Sequence, residues 1–153
     1  MTRLHVPVPV RWSDLDAYEH VNNARMLTLL EEARIAAFWS DPEGGAPTAV
    51  LDTGPGSATI TLVAAQRVEY LAPIPFPREP LDVELWIGRL GGASLEVCYE
   101  IFSPVGSTPR TLYTRAATTM VLVDRVTGAP RKLSDEARTA WQPYVETPIV
   151  FRG

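Results

Sequence analysis

VRWSDLDAYEHVNNARMLTLLEEAR, residues 10–34, joins two kinds of sequence at one point. Its first half is polar and punctuated. From residue 24 to residue 39 the pattern turns helical: Leu27, Leu30, Ala33 and Ala37 share one stripe, and Met26, Leu29, Ala36 and Phe38 widen it. Only Arg25, Thr28, Glu31, Glu32 and Arg34 are strongly polar there. Such a helix, apolar around most of its girth, is expected to be central and wrapped by other elements. Asn22 or Asn23 stands where an N-cap belongs.

Outward from this stretch the chain reads as β structure. Upstream, residues 4–12 alternate Val6, Val8, Val10 and Trp12 with other residues, and Pro7 and Pro9 confine that strand to an edge or to one-sided pairing. Downstream, DPEGGAPTAVLDTGPGS (41–57) is the longest irregular segment, of a length found in lids and binding loops, with disorder as the plainer reading. Period-two runs follow at 58–71, 81–90, 95–102 and 111–124. Gly91-Gly92 and SPVGSTP (103–109) read as turns, so the last three strands form an antiparallel meander. A short helix near 134–140 covers an end. The expected fold is α+β, one long central helix cradled by a curved antiparallel sheet of about five strands. No repeat, low-complexity tract or charge block splits the chain, so residues 1–153 read as one domain.

The composition excludes several functions. The 14 Lys+Arg set against 18 Asp+Glu leave a net charge of −4. That disfavours nucleic acid and polybasic membrane attachment, which need a basic surface. The single cysteine, Cys98, forms no intrachain disulfide, no run reaches the ~20 apolar residues of a bilayer span, and the N-terminus lacks a signal-peptide core. A cytoplasmic protein that needs no cofactor is expected.

The densest polar cluster is Asp14, Asp16, Tyr18, Glu19, His20, Asn22 and Asn23, ending where the helix begins. A helix N-terminus offers unpaired N–H groups and the positive end of a dipole. Together with a carboxylate and an imidazole, it can polarise a carbonyl and attack it. Each residue also has a structural reading: Asp16 as a loop carboxylate capping local N–H groups, His20 as a satisfied surface histidine, Asn22 and Asn23 as helix caps. Glu31 and Glu32 read as solvated or paired, Cys98 as a small apolar residue, and Arg89, Arg110 and Arg115 as strand-end charges able to meet a phosphate. Metal-ligand spacing, phosphate-binding glycine motifs and the GxSxG elbow are all absent.

Residues 10–34 resemble the N-terminal signature of the 4-hydroxybenzoyl-CoA thioesterase group of the hotdog superfamily, R-[FY]-x-D-x-D-x-x-G-H-V-N-N followed by an apolar helix and E-E-A-R. The DLDxxxHVNN core is also similar to that of acyl-ACP thioesterases. RVEYLAPIPF (67–76) resembles the usual close of the second strand. The resemblance implies hydrolysis of an acyl thioester, acyl-CoA or acyl-ACP, at a site on a dimer interface. By position, Asp16 matches the catalytic carboxylate as nucleophile or general base, and His20 the histidine of HVNN. Asn23 lies where a backbone N–H would polarise the thioester carbonyl. Tyr18, Val21 and Asn22 are the expected substrate contacts. Glu19 stands where glycine is usual, Tyr18 where acyl-ACP thioesterases carry asparagine, and Met26 replaces a common aromatic.

Two other readings stand beside hydrolysis. An enoyl-thioester hydratase or dehydratase would pair Asp16 with His20, and a non-catalytic acyl-thioester binder would have lost its chemistry with the change at Glu19. A homodimer or homotetramer is expected, because a lone sheet leaves an edge open.

Overall fold

The computed structural model describes residues 2–52 and 56–152. In chain order the elements are β1 (Leu4–Val8), a 3₁₀ turn (Trp12–Asp14), α1 (Asn23–Phe38), β2 (Thr59–Tyr70), β3 (Leu81–Leu90), β4 (Ser94–Phe102), β5 (Leu112–Asp124), α2 (Asp135–Trp141) and a closing 3₁₀ turn (Gln142–Tyr144). The strands make one sheet in the order β1-β3-β4-β5-β2, every neighbour antiparallel. The expected α+β architecture, the five-stranded sheet and the β3-β4-β5 meander are present. β1, with Pro7, takes one edge and hydrogen-bonds only to β3, where a missing N–H costs least.

Alternation sends Val83 and Leu85 of β3, Val97 and Tyr99 of β4, and Ala116 of β5 to one continuous core, each at most 1% exposed. Helix α1 buries Met26, Leu29, Leu30, Ala33, Ala37 and Phe38 in the same core. The expectation of a long central helix wrapped on all sides is corrected here. α1 has 16 residues, a length of roughly 24 Å. One side of it meets solvent through Arg25, Leu27, Glu31, Glu32 and Ala36. Leu27, placed on the buried stripe by periodicity, is 39% exposed. A single sheet offers the helix one layer to pack on, so its opposite side is left open.

Both ends of the helix are tied down. Asn22 caps the start, its side chain accepting from the Ala24 N–H at 2.8 Å. At the other end Phe38 packs edge-to-face on Trp141 of α2, ring centroids 5.6 Å apart, and the Trp141 indole donates to the Thr48 carbonyl. Thr48 in turn donates to the Ala37 carbonyl. The irregular 41–57 segment, of a length found in lids and binding loops, packs through residues 48–51 on the C-terminal end of α1, and its residues 53–55 lie outside the described ones.

β3 is buried on its outer face as well. The chain after α2 crosses that face, with the Glu146 N–H donating to the Ile87 carbonyl and the Trp86 indole to the Thr147 carbonyl. Arg3 joins Glu84, Glu100 and Glu146 there, and Arg110 joins Asp82 and Glu84. The opposite edge of the sheet, β2, is exposed along its middle, with Leu62 and Val63 50% and 46% accessible. No described helix is long and apolar enough to cross a membrane.

Candidate active site

The polar cluster forms one tight turn on the entrance to α1. Leu15 and Val21 face each other across an antiparallel bridge, and the Asp16 N–H donates to the His20 carbonyl at 2.8 Å. The Glu19 N–H returns to the Asp16 carbonyl at 3.1 Å. Closing so short a loop forces Glu19 into the left-handed region, φ 63°. Glycine, usual at this position in the resembled signature, adopts that geometry without a Cβ clash.

Inside the turn, Asp16 Oδ1 accepts from the Tyr18 N–H (2.8 Å) and the His20 N–H (3.2 Å). Among the described residues its Oδ2 has no partner. The turn is docked from below: the Val21 N–H donates to the Ile74 carbonyl and the Asn22 N–H to the Asp14 carbonyl. Asp14 is fully buried. Burial works to raise its carboxyl, but side-chain and backbone hydrogen bonds from Arg11 outweigh that and hold it below the ordinary carboxylate range.

Asn23 occupies the first helical position, and among the described residues its N–H has no acceptor. Its carbonyl accepts from the Tyr70 hydroxyl at 2.7 Å. Burial raises the Tyr70 phenol, so it stays a donor. Beside this contact opens a cleft of about 270 Å³, walled by Val21, Met26, Tyr70, residues 71–74 and Thr114.

The structure thus brings Asp16, Tyr18 and His20 into one turn and leads through Val21 and Asn22 to Asn23. Val21 lines the cleft. Tyr18 is 81% exposed at the tip of the turn, and the Asn22 side chain is engaged in capping. The His20 imidazole has no hydrogen-bond partner among the described residues, and only its backbone N–H meets Asp16. The side-chain pair that enoyl hydration would use is not formed. Tyr70 and Thr114 were not singled out from the sequence. Tyr70 lies in RVEYLAPIPF, where a tyrosine just before a strand end was the available signal; nothing local marks Thr114.

The remaining candidates lie elsewhere. Cys98 is buried in β4, and burial pushes its thiol up to about 11, which leaves it unreactive at neutral pH. Arg110 is held by Asp82 and Glu84, Arg115 lies 3.9 Å from Glu69, and Arg89 is exposed. His5, Asp82 and Glu84 bring ligand atoms within 4.8 Å of one another at the β1 edge. The Arg110 guanidinium already bridges both carboxylates, at 3.0 and 2.6 Å, and supplies the positive charge a cation would bring.

A family model described as the thioesterase-like superfamily matches residues 10–141. The chain belongs to the thioesterase-like superfamily. Thioester hydrolysis is the reaction class this membership supports. Among solved structures, the superfamily member is 31% identical to a Pseudomonas aeruginosa protein named as a candidate thioesterase, over 91% of this chain and 98% of that one, TM-score 0.73. It is 28% identical to a Xanthomonas campestris protein named as a candidate acyl-CoA thioesterase, over 85% and 98%, TM-score 0.65. The DHNA-CoA thioesterase of Staphylococcus aureus shares the fold at 21% identity, over 94% and 89%, TM-score 0.70. No curated protein sequence matches the chain.

Proposed function

We propose that this superfamily member hydrolyses an acyl thioester, carried on CoA or an acyl carrier protein, to the free acid and thiol. The observation that carries the reading is the loop–helix junction itself. A carboxylate held at one oxygen by two N–H groups leads directly into a helix whose first N–H lacks an acceptor, beside a largely apolar cleft. The Asn23 N–H would donate to the thioester oxygen as negative charge develops there. Asp16 Oδ2 then has one of two roles. It attacks the carbonyl carbon, expelling thiolate and leaving an acyl–aspartyl anhydride that water opens, or it takes a proton from a water that attacks.

The cleft of about 270 Å³ falls just below the ~300–1,000 Å³ of most ligand pockets and suits a short acyl group. The likeness to a protein named as a candidate acyl-CoA thioesterase supports CoA as the carrier. A homodimer pairing along β2 would bury Leu62 and Val63 and extend the sheet.

The test is thiol release across a panel of short, long and aromatic acyl-CoAs, with Asp16→Asn and Asp16→Ala beside the wild type. Loss of at least a hundredfold in kcat with unchanged thermal stability is expected. A variant that still hydrolyses every accepted substrate at near the wild-type rate removes Asp16 from the mechanism. Label found in the Asp16 carboxylate after a single turnover in H₂¹⁸O establishes nucleophilic attack, with water opening the anhydride at its aspartyl carbon.

A further inference from the structure

Thr114 points inward from β5, opposite Tyr70 of β2 and Ile101 of β4, and is 0% exposed. Its Oγ1 is buried with no hydrogen-bond partner. Thr118, four residues along on the same inward face, shows what a satisfied hydroxyl looks like here. It accepts from the Tyr99 hydroxyl and donates to Gln66 Oε1, both at 3.1 Å. The other two buried atoms without hydrogen bonds, Glu69 Oε1 and Arg115 Nε, are charged groups facing each other at 3.9 Å. Among the described residues, Thr114 is the one whose buried side-chain polar atom faces neither a hydrogen-bond nor an ionic partner.

Its position gives that hydroxyl a use. The rest of the cleft wall is apolar except for Tyr70, whose hydroxyl is engaged by the Asn23 carbonyl. A hydroxyl is both donor and acceptor, and a buried one left unmade costs stability that a ligand group can recover. Met26, in the same wall, stands three residues into the helix from Asn23, a rise of roughly 4.5 Å. An acyl group whose carbonyl meets the Asn23 N–H would run past this wall within its first few carbons.

We infer that Thr114 selects acyl groups bearing a hydrogen-bonding oxygen on the first few carbons beyond the thioester carbonyl, so that the substrate class is an oxygenated acyl thioester rather than a plain hydrocarbon one. This rests on the hydrolase reading of the cleft. The experiment compares 3-hydroxybutyryl-CoA (both enantiomers) with butyryl-CoA, by kcat/KM and by calorimetric Kd, in wild type, Thr114→Val and Thr114→Ser. Valine matches threonine in shape without the hydroxyl, and serine keeps the hydroxyl. The wild type and Thr114→Ser are expected to favour one hydroxylated enantiomer by about tenfold or more. In Thr114→Val the ratio falls to about one. Equal handling of the pair by the wild type, or a preference that survives in Thr114→Val, overturns the inference. If both thioesters bind but neither is cleaved, the hydrolase reading falls and the Kd ratio decides the role of Thr114. If neither binds, both fall.

Discussion

Glu19→Gly is expected to stabilise the protein while leaving the chemistry of its turn intact. Glu19 holds φ at 63° to close the loop around Asp16, and its side chain is exposed. A Cβ in the left-handed region costs about 1–2 kcal/mol, which glycine relieves. Glycine also frees the unfolded chain, returning about 0.4–1 kcal/mol to the unfolded state. The difference is a net gain of about 0.5–1 kcal/mol, or a rise in Tm of roughly 1–4 °C for a chain of this size. Glu19→Ala removes the charge but keeps the Cβ, so its Tm stays close to that of the wild type; Glu19→Asn, which tolerates this backbone better, falls between. Differential scanning calorimetry of the three variants at one pH separates charge from geometry. Because the Asp16 Oδ1 contacts come from backbone N–H groups that glycine preserves, thiol release by Glu19→Gly stays within about threefold of wild type. A Tm that falls in Glu19→Gly and holds in Glu19→Ala would show that this position is not strained, and the account of the turn would be wrong.

Asp14 gives a pH prediction. Its carboxyl is held below the ordinary range, so the stability it contributes is fully present above the unfolded carboxylate pKa of ~3.9 and is lost as pH falls through its lower folded value. Asp14→Asn should cost about 1.5–3 kcal/mol at pH 7 by weakening hydrogen bonds from a charged donor, and should lose less between neutral and acid pH than wild type. Urea titrations at neutral pH and near pH 3 check both points, and an equal acid loss in the two proteins refutes the role. The proposed pairing along β2 predicts a wild-type dimer in light scattering and a monomer with its core fold retained in Leu62→Lys. An unchanged mass in the variant refutes that pairing.

Much of this fold was legible from short-range pattern. The helix start could be read because Asn22 is a capping residue directly ahead of a 3.6-period run, and it caps as expected. The β3–β5 meander could be read because Gly91-Gly92 and residues 103–109 break otherwise alternating segments. Pro7 marked β1 as an edge. What could not be read depends on distant partners. Leu27 faces outward because a stripe that is apolar nearly all round does not say which side meets the sheet. Asp82 and Glu84 look like solvent-facing positions until the chain after α2 and two arginines cover them. Of the site, the turn and the helix N-terminus came from one contiguous motif, whereas the cleft wall is assembled from β2, the segment after it, α1 and β5. Thr114 has no local mark because the cleft walls it meets come from α1 and β2, distant in sequence.

The bonds between the two ends of the chain also bear on how the protein is made. Arg3 reaches Glu146 across 143 positions, and β1 pairs with β3, whose residues come some eighty positions later. β1 therefore has no partner until β3, more than seventy positions later, has been synthesised, and Arg3 just ahead of it gains its Glu146 contact later still. Nascent β1 must wait, exposed, while the β3–β5 meander forms from neighbouring hairpins. Its brevity and Pro7 keep that waiting strand from pairing with the wrong edge.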